Sequence, residues 1–297
     1  MPLPAGPVVG TCGFGYPEWR GRFYPPELGP GEWLGFYAQV FEAVELDGTF
    51  YRPPEPAQVA VWAEALPDRF AVSAKVPRAI THEVRLEGEA AAAVLAAFAR
   101  SLEPFGDRLL AVVLQLPPSL DAGEGRERLA RLLGGRPEGL PVVVEPRHPS
   151  WDRPWLPELL EAAGAALVLA ERPASTANPP GEAGGPWSGD AGAPWPGLGR
   201  AVPGQAPYLR LLGDRRATPV IGRPVRDRSA DLDRWAALLA MPDGARGTAR
   251  RPAAAFANNR YEGAAFDTAA ALRRRLGQPA VEPRDLWPAP PLPGLEP

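Results

Sequence analysis

At 297 residues, with 45% hydrophobic and 23% charged side chains, the chain has the makeup of a soluble globular protein and the length of one large α/β domain or two average ones. Its formal net charge of −3 leaves no overall footprint for nucleic acid or an anionic membrane. One cysteine and two histidines exclude an internal disulfide and a Cys/His zinc cage, and no apolar run approaches the ~20 residues that span a bilayer.

The N-terminus lacks the basic start and apolar core of a signal peptide, so the cytoplasm is the expected compartment. In chain order, a strand is predicted over 8–12, then an aromatic-rich loop and a helix over 31–40. A strand over 43–47 precedes a helix over 56–65, and a strand over 70–76 precedes a helix over 87–102. Strands over 109–116 and 141–147 alternate with helices over 124–133 and 154–163. A strand over 166–171 is followed not by a periodic segment but by a Pro/Gly/Trp-rich stretch, 173–207. Two more pairs close the pattern, with strands over 207–212 and 252–258 and helices over 229–241 and 263–276. Several strands are β-branched and apolar on both faces, as buried parallel strands are. Eight strands with seven helices predict a (β/α)8 TIM barrel in a single domain, its sixth helix replaced by the long loop. The barrel domain is assigned to 1–278, with 173–207 as a candidate lid and 279–297 as a Pro-rich tail.

Active sites of such barrels lie at the C-terminal strand ends. Reading those positions gives Thr11, then Glu45, Asp47 and Thr49, then Lys75, Gln115, Glu145, Arg147 and His148, then Glu171, Arg210, and finally Asn258 and Asn259. Lys75 stands out because it is the sole lysine, the other 31 of the 32 basic residues being arginine. A compact titratable amine does what a guanidinium cannot. The two histidines are His82, seven residues past Lys75, and His148, at the end of the fifth strand. Simpler roles stand beside these. Glu145 and Arg147 could pair along their own strand, Lys75 could neutralise Glu45 or Glu145, His82 could be a capping residue, and buried Cys12 fits a small packer. Tyr16, Trp19 and Trp151 could wall the mouth for a sugar or base, or staple their loops to the barrel.

These same residues carry a family resemblance. Gly10-Thr-Cys-Gly-Phe-Gly-Tyr-Pro-Glu-Trp19, Phe23-Tyr-Pro25 and Val44-Glu-Leu-Asp-Gly-Thr-Phe-Tyr51 open the pattern. It continues through Lys75-Val-Pro-Arg-Ala-Ile-Thr-His82, Leu114-Gln-Leu-Pro-Pro118 and Val144-Glu-Pro-Arg-His-Pro-Ser-Trp151. Tyr208-Leu-Arg-Leu-Leu-Gly213 and Phe256-Ala-Asn-Asn-Arg-Tyr-Glu-Gly263 close it. Over about residues 8–277 the chain resembles the YecE-like family, domain of unknown function 72, which implies a TIM barrel and supplies no established reaction. Against the usual family pattern Cys12 stands for Ser, Phe14 for Trp, Asp47 for Asn and Leu212 for His.

The leading functional expectation is an enzyme acting on a small polar, anionic or sugar-like substrate, with no cofactor. Glu45 and Glu145 would exchange protons, and Lys75 would bind, pair or form a Schiff base. Gln115, Arg147, His148, Arg210, Asn258, Tyr16, Trp19 and Trp151 would hold the substrate. The alternatives are a Mg²⁺- or Mn²⁺-dependent phosphodiesterase or nucleic-acid-processing barrel built on Glu45, Asp47, Glu145 and His148, and a non-catalytic ligand-binding barrel. A small molecule is the expected partner. The acidic balance weighs against nucleic acid, and no membrane is expected.

Overall fold

Eight parallel strands close on one another in sequence order, from β1 beside β2 round to β8 beside β1. The computed structural model describes residues 3–171, 205–214, 216–240 and 251–288. The strands are β1 Val8–Cys12, β2 Ala43–Leu46, β3 Ala71–Lys75, β4 Leu109–Gln115, β5 Val142–Glu145, β6 Ala166–Glu171, β7 Tyr208–Leu211 and β8 Ala254–Ala257. Among the described residues the helices are α1 Trp33–Val40, α2 Pro56–Ala65, α3 Gly88–Ser101, α4 Ala122–Gly134, α5 Trp155–Ala162, α6 Ser229–Leu239 and α7 Ala265–Arg275. The chain is therefore a (β/α)8 barrel. The candidate lid, including the missing sixth helix, falls almost wholly outside the described residues, as does the tail beyond residue 288.

Residue alternation sorts the strands into two apolar layers. Ala71, Val113, Val143, Val168 and Phe256 pack together inside the barrel, while Val72, Val112, Val144, Leu169 and Ala255 belong to the larger cluster beneath the helices. Where sequence and structure differ, local hydrogen bonding explains it. Helix α4 starts two residues earlier than its apolar period predicts, because the Asp121 carboxylate caps it by accepting from the Glu124 N–H at 2.9 Å. Helix α1 starts two residues later, after a 3-10 turn over Pro30–Glu32 in which the Glu32 side chain accepts from the Gly29 N–H.

Thr11, expected at the mouth, faces the helical layer instead. Its N–H donates to the Tyr37 hydroxyl at 2.9 Å, and that hydroxyl donates to the Ala43 carbonyl at 2.8 Å, so Tyr37 of α1 stitches β1 to β2 from outside. At the rim two strands round from β1, Gly213 adopts φ +65°, and a Cβ there would lie 2.0 Å from the Arg260 carbonyl oxygen. Only glycine lets the chain leaving β7 cross the loop after β8 so closely. The described part of the C-terminal segment docks on the barrel wall, where the Trp287 indole donates to the Phe23 carbonyl at 3.2 Å.

Candidate functional site

The centre of the mouth is Arg210, on β7 and all but sealed from solvent. Inward-facing positions bring three acids to it. Its Nε and Nη2 donate to Glu45 Oε1 at 3.0 and 2.6 Å, its Nη1 donates to Glu145 Oε2, and its Nη2 also reaches Asp47 Oδ1 at 3.2 Å. The other Glu45 oxygen accepts from the Tyr208 phenol at 2.8 Å. Burial alone would lower the Arg210 pKa, but the Glu45 and Glu145 carboxylates outweigh it and hold the guanidinium charged. The Glu45 carboxyl is raised above the usual range by burial and by Asp47, against the pull of Arg210 and Lys75.

Above this sealed layer sit the termini that solvent reaches. Lys75 Nζ lies 3.5 Å from Asp47 Oδ1 and 4.8 Å from the centroid of the Phe50 ring, and its side chain is 12% exposed. Asp47 is 27% exposed and Arg147 is 24% exposed, the latter's Nε and Nη2 both donating to Glu145 Oε1 at 2.8 and 2.7 Å. Thr49, buried beside them, donates to the Leu46 carbonyl at 2.8 Å and approaches that of Lys75 at 2.7 Å, clipping the ends of β2 and β3 together. Gln115 pairs in register with Glu145 at the end of β4, and its buried amide oxygen has no hydrogen-bond partner among the described residues.

Other expected residues lie elsewhere. Trp19 is fully buried, its indole donating to Asn259 Oδ1 at 3.0 Å and its ring packed edge-on against Phe23 and Phe266. Trp151 is equally buried, donating to the Leu120 carbonyl at 2.8 Å against Gly125 of α4. Both staple loops to the barrel and line no mouth. Tyr16 is partly buried and donates to the Cys12 carbonyl at 2.6 Å on the rim. His148 caps a 3-10 turn, its Nδ1 accepting from the Ser150 N–H at 3.2 Å, and Asn258 Oδ1 accepts from the Arg260 N–H at 2.9 Å. Glu45 and Glu145 are at the mouth but sealed in it, 0% and 1% exposed, so the acid that faces outward is Asp47.

The cation alternative is tested by the donor set. Cys12, Glu45 and Asp47 place ligand atoms within 4.8 Å of one another. The Arg210 guanidinium already lies against all three, 3.8 Å from Cys12 Sγ, and supplies the positive charge a metal would bring. Burial and the neighbouring Glu45 carboxylate hold the Cys12 thiol protonated. His148 is directed to Ser150. These residues do not fit a metal centre.

A family model described as "Protein of unknown function DUF72" matches residues 8–292. The UPF0759 protein YunF of Bacillus subtilis is 27% identical over 150 residues, 49% of this chain and 52% of its own length, so the chain spans about half of that curated relative. A DUF72 family protein from Thermotoga maritima superposes with a TM-score of 0.69 at 23% identity, over 92% of this chain and 100% of that one. Another from Enterococcus faecalis gives 0.68 at 18% identity, over 92% and 96%. These two structures share the fold.

Proposed function

The chain belongs to the DUF72 family, and from that premise we propose that it is an enzyme acting on a small anionic or sugar-like substrate at the C-terminal mouth of the barrel. The observation that carries this is the two-tier arrangement of charge. Arg210, Glu45 and Glu145 form a sealed ionic layer, and such a layer is weak as a source of stability because desolvation cancels most of its attraction. It supports instead a second tier of partly accessible termini, Lys75, Asp47 and Arg147, held at fixed positions. Preorganised charge of this kind is what binding and stabilising a reacting anion requires.

In this reading Arg147 and Lys75 bind the anionic group, and the planar guanidinium suits a phosphate or carboxylate. Asp47, between Arg210 and Lys75, exchanges a proton with the substrate, and Glu45, joined to it through the shared Arg210 Nη2, is the group raised toward protonation. Gln115 offers its buried amide oxygen to a substrate hydroxyl, since a buried acceptor without a partner is otherwise a cost of ~1–3 kcal/mol. The Asp47 carboxylate 3.5 Å from Lys75 Nζ is an ionic partner that an incoming anion can replace, which argues for anion binding by Lys75 over Schiff-base chemistry.

Binding of inorganic phosphate to the full chain tests this. The Lys75→Met variant, checked for an unchanged melting profile, should bind about tenfold more weakly, the loss of ~1.4 kcal/mol. Lys75→Arg should bind more strongly than Lys75→Met. Equal affinity of wild type and Lys75→Met would sink the reading.

A further inference from the structure

His82 lies in the loop between β3 and α3, inside the π-turn Ala79–Glu83, which closes through the Val84 N–H and the Ala79 carbonyl at 3.0 Å. The two residues that follow, Arg85 and Leu86, have φ of 49° and 63°, and neither is glycine. Left-handed backbone at consecutive bulky residues is costly and persists only where the surroundings enforce it, as happens at functional sites. Here the buried Leu86 side chain anchors the segment. Its N–H donates to the Ile80 carbonyl at 2.8 Å, while Arg85 grips Glu124 and Ser119 of the next loop and helix.

The strained turn sets the imidazole against the mouth. His82 meets the Phe50 ring edge-on at 5.1 Å and 83°, and the same ring lies 4.8 Å from Lys75 Nζ. Thr81 is fully buried, and its Oγ1 stands 2.8 Å from His82 Nδ1. That hydroxyl has no other partner among the described residues, and by donating its proton to Nδ1 it pairs with the tautomer that carries hydrogen on Nε2. Nε2 has no partner among the described residues.

We propose that His82 is a further ligand-binding residue of this mouth, donating its Nε2–H to an oxygen of a phosphate or carboxylate held over the ends of β3, β4 and β5. This rests on the anionic-substrate reading and adds a fourth contact to Lys75, Gln115 and Arg147. Burial first, then Arg78, Arg147, Lys75 and Arg85, hold the imidazole below its ordinary pKa, so at neutral pH it is an uncharged donor. Each of those cations has its own carboxylate: Glu83 on Arg78, Glu145 on Arg147, Asp47 on Lys75 and Glu124 on Arg85. An incoming oxyanion adds negative charge beside His82 and raises its pKa.

Nitrogen-15 NMR of the full chain, with only two histidines to resolve, tests this directly, His82→Gln and His148→Gln supplying the assignments. His82 is expected to show the Nε2–H tautomer and to titrate below about 6.5. Inorganic phosphate should shift its Nε2 resonance and raise its midpoint, while His148 stays unmoved. Acetate in a parallel titration separates a carboxylate site from a phosphate site. The His82→Phe variant should bind phosphate about tenfold more weakly, and His82→Gln, which keeps a donor, within about threefold of wild type. An Nδ1–H tautomer overturns the inference. So does phosphate binding that depends on Lys75 yet leaves His82 unmoved, and that result spares the reading of the mouth. Failure of both anions to bind wild type overturns both.

Discussion

Replacing Arg210 with Met keeps the length of the side chain and removes the cation on which the mouth converges. Glu45 then loses its guanidinium partner and keeps the Tyr208 phenol at 2.8 Å, while Glu145 still holds Arg147 through its other oxygen. Removing one partner from a buried ionic cluster costs about 3–5 kcal/mol, because the remaining charge is stranded without solvent. At roughly 2–4 °C per kcal/mol for a large domain, the melting temperature should fall by about 6–20 °C. The loss should depend on pH in a direction set by Glu45, whose carboxyl already stands above its ordinary value in the wild type and would rise further. Between the unfolded value near 4.3 and the folded one, the native state binds more protons than the unfolded state. Stability therefore falls as pH rises through that window.

Calorimetric melts at pH 5 and pH 8 read this out. Arg210→Met should be more destabilised at pH 8 than at pH 5, and adding Glu45→Gln should recover most of the pH 8 loss by removing the stranded charge. A loss under about 1 kcal/mol at pH 8, or a larger loss at pH 5, would refute the account of Arg210 as the charge that holds the sealed layer together.

Two further outcomes separate packing from chemistry. Gly125→Ala places a Cβ 2.5 Å from Trp151 Cζ2, and because the indole is pinned to Leu120 it should cost about 1–3 kcal/mol in urea unfolding. Phosphate affinity should stay unchanged, whereas a Trp151 that lined the mouth would carry the change into binding. The Cys12 thiol, pushed up by burial and by Glu45, should resist a thiol reagent at pH 8 in the native protein and react at the rate of unfolding. Rapid labelling of the folded chain would contradict its place beneath Arg210.

The barrel was legible because its signal is local. Short apolar runs bounded by Gly or Pro, several of them β-branched, mark the strands, and polar residues gather late in Glu45, Lys75, Gln115 and Glu145. Their division into tiers was not legible, since it depends on partners distant in sequence. Arg210 meets Glu45 165 positions away and Glu145 65 positions away. Nothing in Tyr208-Leu-Arg-Leu says that this arginine is sealed while Arg147 is accessible. The tryptophans failed for another reason, because an aromatic loop reads the same whether it walls a cleft or staples a turn. The discriminating signs were small partners far along the chain, Asn259 for Trp19 and Gly125 for Trp151. For the histidines the sequence favoured His148 over His82. Under the proposed reading, the strained turn after His82, visible only as backbone geometry, reverses that order.

Formal charge across the mouth balances, with Glu45, Asp47 and Glu145 against Lys75, Arg147 and Arg210. An anion entering under the proposed reading must share Lys75 with Asp47 or Arg147 with Glu145, and either step leaves a carboxylate under-compensated in a site largely closed to solvent. The least costly answer is a proton on a carboxyl, and Glu45, already raised and linked through Arg210 to both of the others, is the group nearest to accepting it. Substrate binding and proton uptake are then one event. A single lysine among 31 arginines fits that event, because a single-point ammonium can shift from Asp47 toward an incoming oxyanion without breaking the Arg210–Glu45 contacts beneath it.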